Sequence, residues 1–320
     1  MLTSEILKQA AKEYGADLAG VGSVERWDSA PEENDPRTIM PRAKSVVCLG
    51  FRIHRGSLRG VEEGTYFSAY TLAGFADINS VIAPVVTRRV ASLLEDSGFE
   101  AASVMYHSNR FGGYNIGRAA MREDGSLKPK PDGLFNYRVA AVLCGIGEIG
   151  HSRLLLTPEF GPAQRVYFII TDAPLEPDPI IGNICDKCMK CVAECPAKAL
   201  YAQKQDDVNV PGVTCIRRGA MDAAKCYVAH WGGISPFASD EVLAYSKNII
   251  DGSETETADG KPRPTTEEIA DYLSANIEYT KGAYNFTYGP AVVCAACMRS
   301  CLAHLEKRGT LRLKFSNTFR

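Results

Sequence analysis

The sequence predicts an α+β protein, a layered half followed by a cysteine-rich half. Three observations predict it. The first 178 residues alternate β-rich apolar runs with stretches of helical periodicity. Beyond about Pro179 that periodicity fades and cysteines crowd together. The composition, 45% hydrophobic and 23% charged over 320 residues, is that of a globular chain able to bury a substantial core.

The elements follow in order. "MLTSEILKQAAKEYG" has the period of an amphipathic helix, with Ile6, Leu7, Ala10, Ala11 and Tyr14 on one face and Gly15 as its stop. "AKSVVCLGFRI", from Ala43 to Ile53, is a β-rich apolar run. "INSVIAPVVTRRVASLLEDSGFEAASVMY" predicts a long helix, a stop at Gly98 and a strand, with Pro84 near the helix start or kinking it. "DGLFNYRVAAVLCGIGEIG" predicts a helix from about Phe135 to Cys144, ended by Gly145. "RVYFIITDAPL" is a strand that runs into a Pro-rich turn. The expected division is a first domain over 1–178 and a second over 179–320, with a polar insertion around 234–287. Within that insertion, Asp251 to Glu268 reads as an exposed and mobile loop, because Gly, Pro, Thr and acids dominate it.

A formal net charge of -2 argues against nucleic-acid or membrane-surface binding. The N-terminus shows no signal-peptide core and no twin arginine, and no apolar run reads as long enough to span a bilayer. The expected location is the cytoplasm. There thiols stay reduced, so eleven cysteines point to metal ligation rather than to disulfides.

"CDKCMKCVAECP" from Cys185 to Pro196 carries the spacing C-x2-C-x2-C-x3-C-P. This is the bacterial ferredoxin run, in which three thiolates hold one cubane and the fourth reaches a second cluster. Zinc, which favours separated C-x2-C pairs, is the lesser reading. A partner run, "CAACMRSC", supplies Cys294, Cys297 and Cys301. Counting ligands gives cluster one as Cys185, Cys188, Cys191 and Cys301. Cluster two takes Cys195, Cys294, Cys297 and either Cys226 or Cys215, with Cys226 preferred. Eight ligands make two [4Fe–4S] clusters. Cys48 and Cys144 stand in apolar runs and read as buried core thiols.

The segment before the first run carries Gly145 and Gly147, then Pro158-Glu159-Phe160-Gly161, then Thr171-Asp172-Ala173-Pro174-Leu175. In this order the chain resembles the corrinoid-dependent iron–sulfur reductases, the reductive dehalogenases and epoxyqueuosine reductases, over roughly Ser45 to Ala303. The resemblance is most specific from Gly145 to Pro196. The lone cysteine of "AKCYVAHW" also matches a ligand of the second cluster, which favours Cys226. The resemblance implies a nitroreductase-like α/β domain that holds cobalamin, followed by a ferredoxin-like domain with two [4Fe–4S] clusters. It implies an anaerobic oxidoreductase that passes electrons from an external low-potential donor, such as ferredoxin or flavodoxin, through both clusters to the corrinoid. A small organic substrate is then reduced. Flavin in the same domain is the lesser alternative. The rival reading is an electron-transfer or corrinoid-activating partner without substrate chemistry of its own. Two departures bear on the substrate: His151 stands where relatives tend to carry arginine or lysine, and Leu302 replaces the usual proline after the last cysteine.

Substrate reduction needs a proton donor, and Asp132, Tyr137 and His151 are the candidates. Each has a plainer reading. Asp132 also fits a helix-start cap, Tyr137 a core tyrosine, and His151 a solvent-facing loop histidine. Gly145, Gly147 and Glu148 are the expected cofactor-binding residues. The glycines would let backbone approach a corrin closely, or simply end the preceding helix. "HSNRFGGYNIGR" reads as a cofactor-covering or an ordinary surface loop. Tyr66 and Tyr70 read as packing residues, and His230 and Trp231 as shields that keep water from the second cluster.

Overall fold

The computed structural model describes residues 2–62, 68–104, 124–126, 136–236, 238–277, 294–317 and 319. At its centre is an antiparallel sheet of four strands, β1 (Leu18–Ser23), β2 (Ser45–Arg52), β3 (Ala101–Val104) and β6 (Gln164–Thr171). Their spatial order is β1-β2-β6-β3. Strand β2 is central and pairs along its whole length with β6, from Ser45↔Thr171 to Arg52↔Gln164. It is buried on both faces up to Phe51, which explains why its sequence is continuously apolar rather than alternating.

The period-2 geometry of a strand sorts its side chains between two cores. Val47, Leu49, Phe51, Tyr167 and Ile169 face one way. There they meet Leu7 and Ala11 of α1 (Ser4–Glu13) and Val86, Val90 and Leu94 of α4 (Ala83–Asp96). Val46, Cys48, Phe168 and Ile170 face the other way. There they meet Ala140 to Leu143 of α5 (Tyr137–Leu143). Helix α1 turns Ser4, Leu7 and Ala11 inward. Ile6, expected on the inner face, is 52% exposed. One residue of offset rotates a side chain by about 100°, so Ile6 and Leu7 cannot both face the core.

Two short helices, α2 (Arg55–Glu62) and α3 (Ser68–Thr71), precede α4. From Leu72 to Ile82 the chain makes wider π-type turns before α4 begins. Pro84 sits in the first turn of α4 but inside the longer helical stretch, so its missing N–H removes one intrahelical bond where the π-type turns end. The whole helical stretch Ala69–Asp96 has the length and composition of a bilayer-crossing helix. This corrects the expectation that no apolar run is long enough. Its Ala83, Val86, Val90 and Leu94 belong to the core.

After β6, Ser45 and Thr171 fold the Thr171–Leu175 turn back on the sheet. The Ser45 hydroxyl donates to Ala173 O (2.8 Å) and accepts from Leu175 N (3.1 Å). Asp178 then fastens the exit. Its carboxylate accepts from Val21 N (2.8 Å) and pairs with Lys8 Nζ (2.6 Å), while Arg26 donates to its backbone oxygen (2.7 Å).

The second half contains hairpin strands β7 (Leu200–Gln205) and β10 (Gly219–Met221), with β8 (Val208–Val210) and β9 (Thr214–Ile216) between them. Its helices are α6 (Lys190–Ala193), α7 (Ala223–His230), α8 (Asp240–Asp251), α9 (Thr266–Asn276) and α10 (Ala296–Arg308). Val228, Val242, Ile249, Ile269 and Leu273 give α7, α8 and α9 an apolar cluster of their own. Helix α10 instead returns to the first core, where Leu302 and Leu305 pack in the same cluster as Leu7 and Leu49.

The polar stretch from Asp251 to Glu268 is largely exposed, as its composition predicts, but it is anchored at two points. Thr265 and Glu268 form a capping box that starts α9. The Arg263 side chain is 7% exposed and donates to Ile249 O (3.3 Å). It is held by a buried carboxylate.

Candidate metal centre

The first cysteine run winds tightly because its backbone turns left. Asn183 (φ 64), Lys187 (φ 56) and Met189 (φ 58) all take the left-handed conformation. That conformation costs a non-glycine residue about 1 kcal/mol, so the surroundings must hold the loop in place. The winding brings Cys185 and Cys188 onto one small cavity with Cys191 of α6. Cys301 of α10 lines the same cavity from the opposite chain segment, with His151 and His304 beside it.

Two residues hold the start of this loop. Glu148, in the two-residue strand β4 (Glu148–Ile149) paired with β5 (Leu155–Leu156), accepts from Ile184 N (2.8 Å) and, more closely, from Cys185 N. His151 is 4% exposed, and its backbone N–H points at Cys185 Sγ (3.5 Å). Its ring Nε2 lies 2.9 Å from Tyr201 O, a carbonyl that can only accept, so Nε2 carries the proton. Its carbonyl in turn accepts from Gly219 N (3.1 Å). His151 is therefore a buried strut between the cysteine loop and the β7/β10 hairpin, not a solvent-facing histidine.

Behind the first sulfur group lies a second. Cys297 and Cys301 are four residues apart on α10 and share a face. Burial pushes the Cys301 thiol well up, and Cys185, Cys191, Cys188 and Cys297 add to the shift. Burial does the same to Cys297, and Cys294, Cys226, Cys195 and Cys191 add to the shift. The Cys226 thiol is pushed up to about 11 by burial and by Cys195. The Cys195 sulfur accepts from Ala199 N (3.2 Å). Cys226 rides on α7, whose first turn is capped by Asp222 (Oδ1 to Lys225 N, 3.1 Å). Asp222 and Arg263 form an ion pair of 2.9 Å, with side chains 4% and 7% exposed.

Cys185, Cys188, Cys191 and Cys301 thus line one cavity, and Cys195, Cys226 and Cys294 are electrostatic neighbours of Cys297. This soft donor set, with Cys191 buried, Cys188 exposed and the other six half-buried, fits iron–sulfur clusters. The other three cysteines lie apart. Cys48 and Cys144 are fully buried, their thiols pushed well up by burial, and Cys144 Sγ donates to Val46 O (3.3 Å). Cys215 is exposed on β9.

The residues expected at a further cofactor have other occupations. Gly145 has φ 73, and a Cβ there would lie 2.5 Å from Pro179 O. A Cβ at Gly147 would lie 2.2 Å from Leu156 O. Both glycines make room for the protein's own backbone, and Glu148 is spent on the cysteine loop. Asp132, Tyr66 and the His107 to Arg118 segment lie outside the described residues. Tyr137 begins α5, half-buried, with its ring edge-on to Phe168 at 5.3 Å.

The structure also reveals a polar group that sequence reasoning left as packing. Arg165, near the start of β6, donates from Nη2 to Tyr70 OH (3.0 Å) and from Nε to Gly74 O (3.1 Å), over the Phe75 ring at 4.3 Å. His230, at the end of α7, feels it. Burial first, then the charges of Arg165 and Arg138, push the His230 imidazole down to about 4. The only signal in the sequence was a lone cation opening an otherwise apolar strand. At the other end of the sulfur array, His304 Nε2 lies 2.8 Å from Asp186 Oδ2, and Arg308 3.3 Å from it. Burial alone would raise the Asp186 carboxyl, but these partners outweigh it and hold the group below its ordinary range.

No family model matches the chain. Among curated proteins, a tetrachloroethene reductive dehalogenase of Desulfitobacterium hafniense is 39% identical over 75 residues, 22% of this chain and 14% of its own length. An epoxyqueuosine reductase of Bacillus subtilis (strain 168) is 26% identical over 279 residues, 78% of this chain and 61% of that protein. The chain therefore spans less than two thirds of either relative. Among solved structures, a reductive dehalogenase studied for B12-dependent dehalogenation aligns with a TM-score of 0.49 at 17% identity, covering 87% of this chain and 36% of that one. By sequence, the chain has homologues among both the reductive dehalogenases and the epoxyqueuosine reductases.

Proposed function

We propose that this protein is an iron–sulfur reductase in which two [4Fe–4S] clusters carry electrons from a low-potential donor to the reduction of a small organic substrate. The observation that carries this reading is the convergence of Cys185, Cys188, Cys191 and Cys301 on one cavity, with Cys297 linking it to Cys195, Cys226 and Cys294. Cys188 is exposed and Cys297 lies deeper, so the array runs inward from the surface. Two adjoining clusters make a wire, and a wire needs an acceptor. A corrinoid is the acceptor implied by the resemblance to reductive dehalogenases and epoxyqueuosine reductases. Gly145, Gly147 and Glu148, the residues expected to hold it, also engage the chain's own backbone.

The proton for substrate reduction has a candidate source on this chain. The Tyr70 hydroxyl accepts from Arg165 and keeps its own proton available to donate. His230, with its imidazole near 4, is neutral at physiological pH and adds no competing charge there.

The deciding experiment is anaerobic reconstitution with iron, sulfide and hydroxocobalamin, followed by desalting and metal counting. About eight iron atoms and about one cobalt per chain are expected. About four iron atoms would refute the two-cluster reading. Eight iron atoms without cobalt would refute the corrinoid and leave an electron-transfer protein.

A further inference from the structure

We infer that the exposed basic rim around Cys188 is a docking surface for an acidic electron-carrier protein. The inference rests on the reading above of Cys185, Cys188, Cys191 and Cys301 as a cluster. Of these four, Cys188 is the exposed one, so it marks where the cluster comes closest to solvent.

The charges around it are one-sided. Lys187 and Lys190 flank Cys188 and are exposed. Among the described residues, neither forms an ion pair. Helix α10 adds exposed Lys307 at the end that carries His304, which lines the same cavity. The nearby acids are matched. Asp186 pairs with His304 at 2.8 Å and Arg308 at 3.3 Å, and Glu194 with Arg299 at 3.8 Å. The rim thus carries surplus positive charge on a chain whose net charge is -2. A local field opposite in sign to the whole molecule orients an encounter rather than merely promoting it. The complementary partner is a protein with acidic residues around an exposed redox centre. The exchange is one electron per encounter: the carrier is oxidised by one electron, the cluster is reduced by one, and no atom moves.

The test is stopped-flow reduction of the reconstituted full chain by a reduced, acidic bacterial-type ferredoxin, with salt varied. A parallel series uses titanium(III) citrate, which needs no docking surface. The K187E/K190E variant should react with the ferredoxin about tenfold more slowly at low salt, and the gap should close as salt screens it. K187Q/K190Q should fall between. The remote charge-matched variant K247E/K261E should match wild type, as should all variants with titanium(III) citrate. Equal slowing of the two Glu variants would overturn the docking surface alone. So would slowing of K187E/K190E with titanium(III) citrate, which would assign the lysines to tuning the cluster instead. A wild-type chain that shows no cluster signal with titanium(III) citrate would overturn the cluster reading and the docking surface with it.

Discussion

Removing the Glu148 carboxylate should release the cluster-one loop. One of its oxygens accepts from both Ile184 N and Cys185 N, at the point where the chain enters a run of left-handed residues. A hydrogen bond to a charged group contributes roughly 1.5–3 kcal/mol. Glu148 is half-buried, so the lower end applies, and two such bonds come to about 3 kcal/mol. Glu148→Ala leaves both amides without that acceptor. Glu148→Gln keeps an oxygen but loses the charge, so about half the loss is expected. The loss acts on the loop rather than on the sheet, because Ile149 and Leu156 stay packed. The assay is iron and sulfide per chain after reconstitution and desalting, with the midpoint potentials read by EPR. E148A should fall from about eight iron atoms toward about four, and E148Q should keep both clusters with one potential shifted. If E148A keeps all its iron at unchanged potentials, the carboxylate is not what holds this loop.

Cys301→Ser should remove cluster one and leave about four iron atoms, whereas Cys215→Ser should leave the iron count unchanged, since Cys215 is exposed on β9. Arg263→Ala leaves Asp222 buried without its partner, so urea unfolding should show a loss of about 3 kcal/mol, with cluster two lost first because Asp222 caps the helix of Cys226. His230 has a folded pKa of about 4 against an ordinary 6.5. Its contribution to stability is therefore fully present above pH 6.5 and lost as pH falls through about 4. Unfolding midpoints followed from pH 7 to pH 4 should drop more steeply in wild type than in His230→Phe, and parallel curves would show that the imidazole is not buried as described. Tyr70→Phe should lower turnover by at least tenfold while leaving cluster reduction by titanium(III) citrate unchanged, and a wild-type turnover number would remove Tyr70 as the proton donor.

Much of the metal site was legible in the sequence. A cubane takes three ligands from one tight loop, so Cys185, Cys188 and Cys191 announce themselves by spacing alone. The supports of that loop did not. Glu148 and His151 lie more than thirty residues upstream, in a segment whose glycines suggested a cofactor cradle. No pattern in the segment tells whether a backbone approaches a ligand or its own chain. The structure answers with Pro179 O and Leu156 O. Arg165 was hidden for a related reason. Strand periodicity reports which face a residue occupies, but not that Tyr70 waits on that face from a helix far upstream.

The sequence by itself determined most elements of the first half, because helical and strand periods are local and each burial pattern repeats within a few residues. It also carried the ferredoxin-type spacing of Cys185, Cys188 and Cys191, because ligand spacing within one loop is local too. The tertiary structure alone decided how the cysteines group in space, that α10 packs into the first core and so brings Cys301 against the ferredoxin run, and that Arg263 is buried against Asp222. Each of these depends on which distant surfaces exclude water together. That is a property of the packed chain, and no stretch of sequence carries it alone.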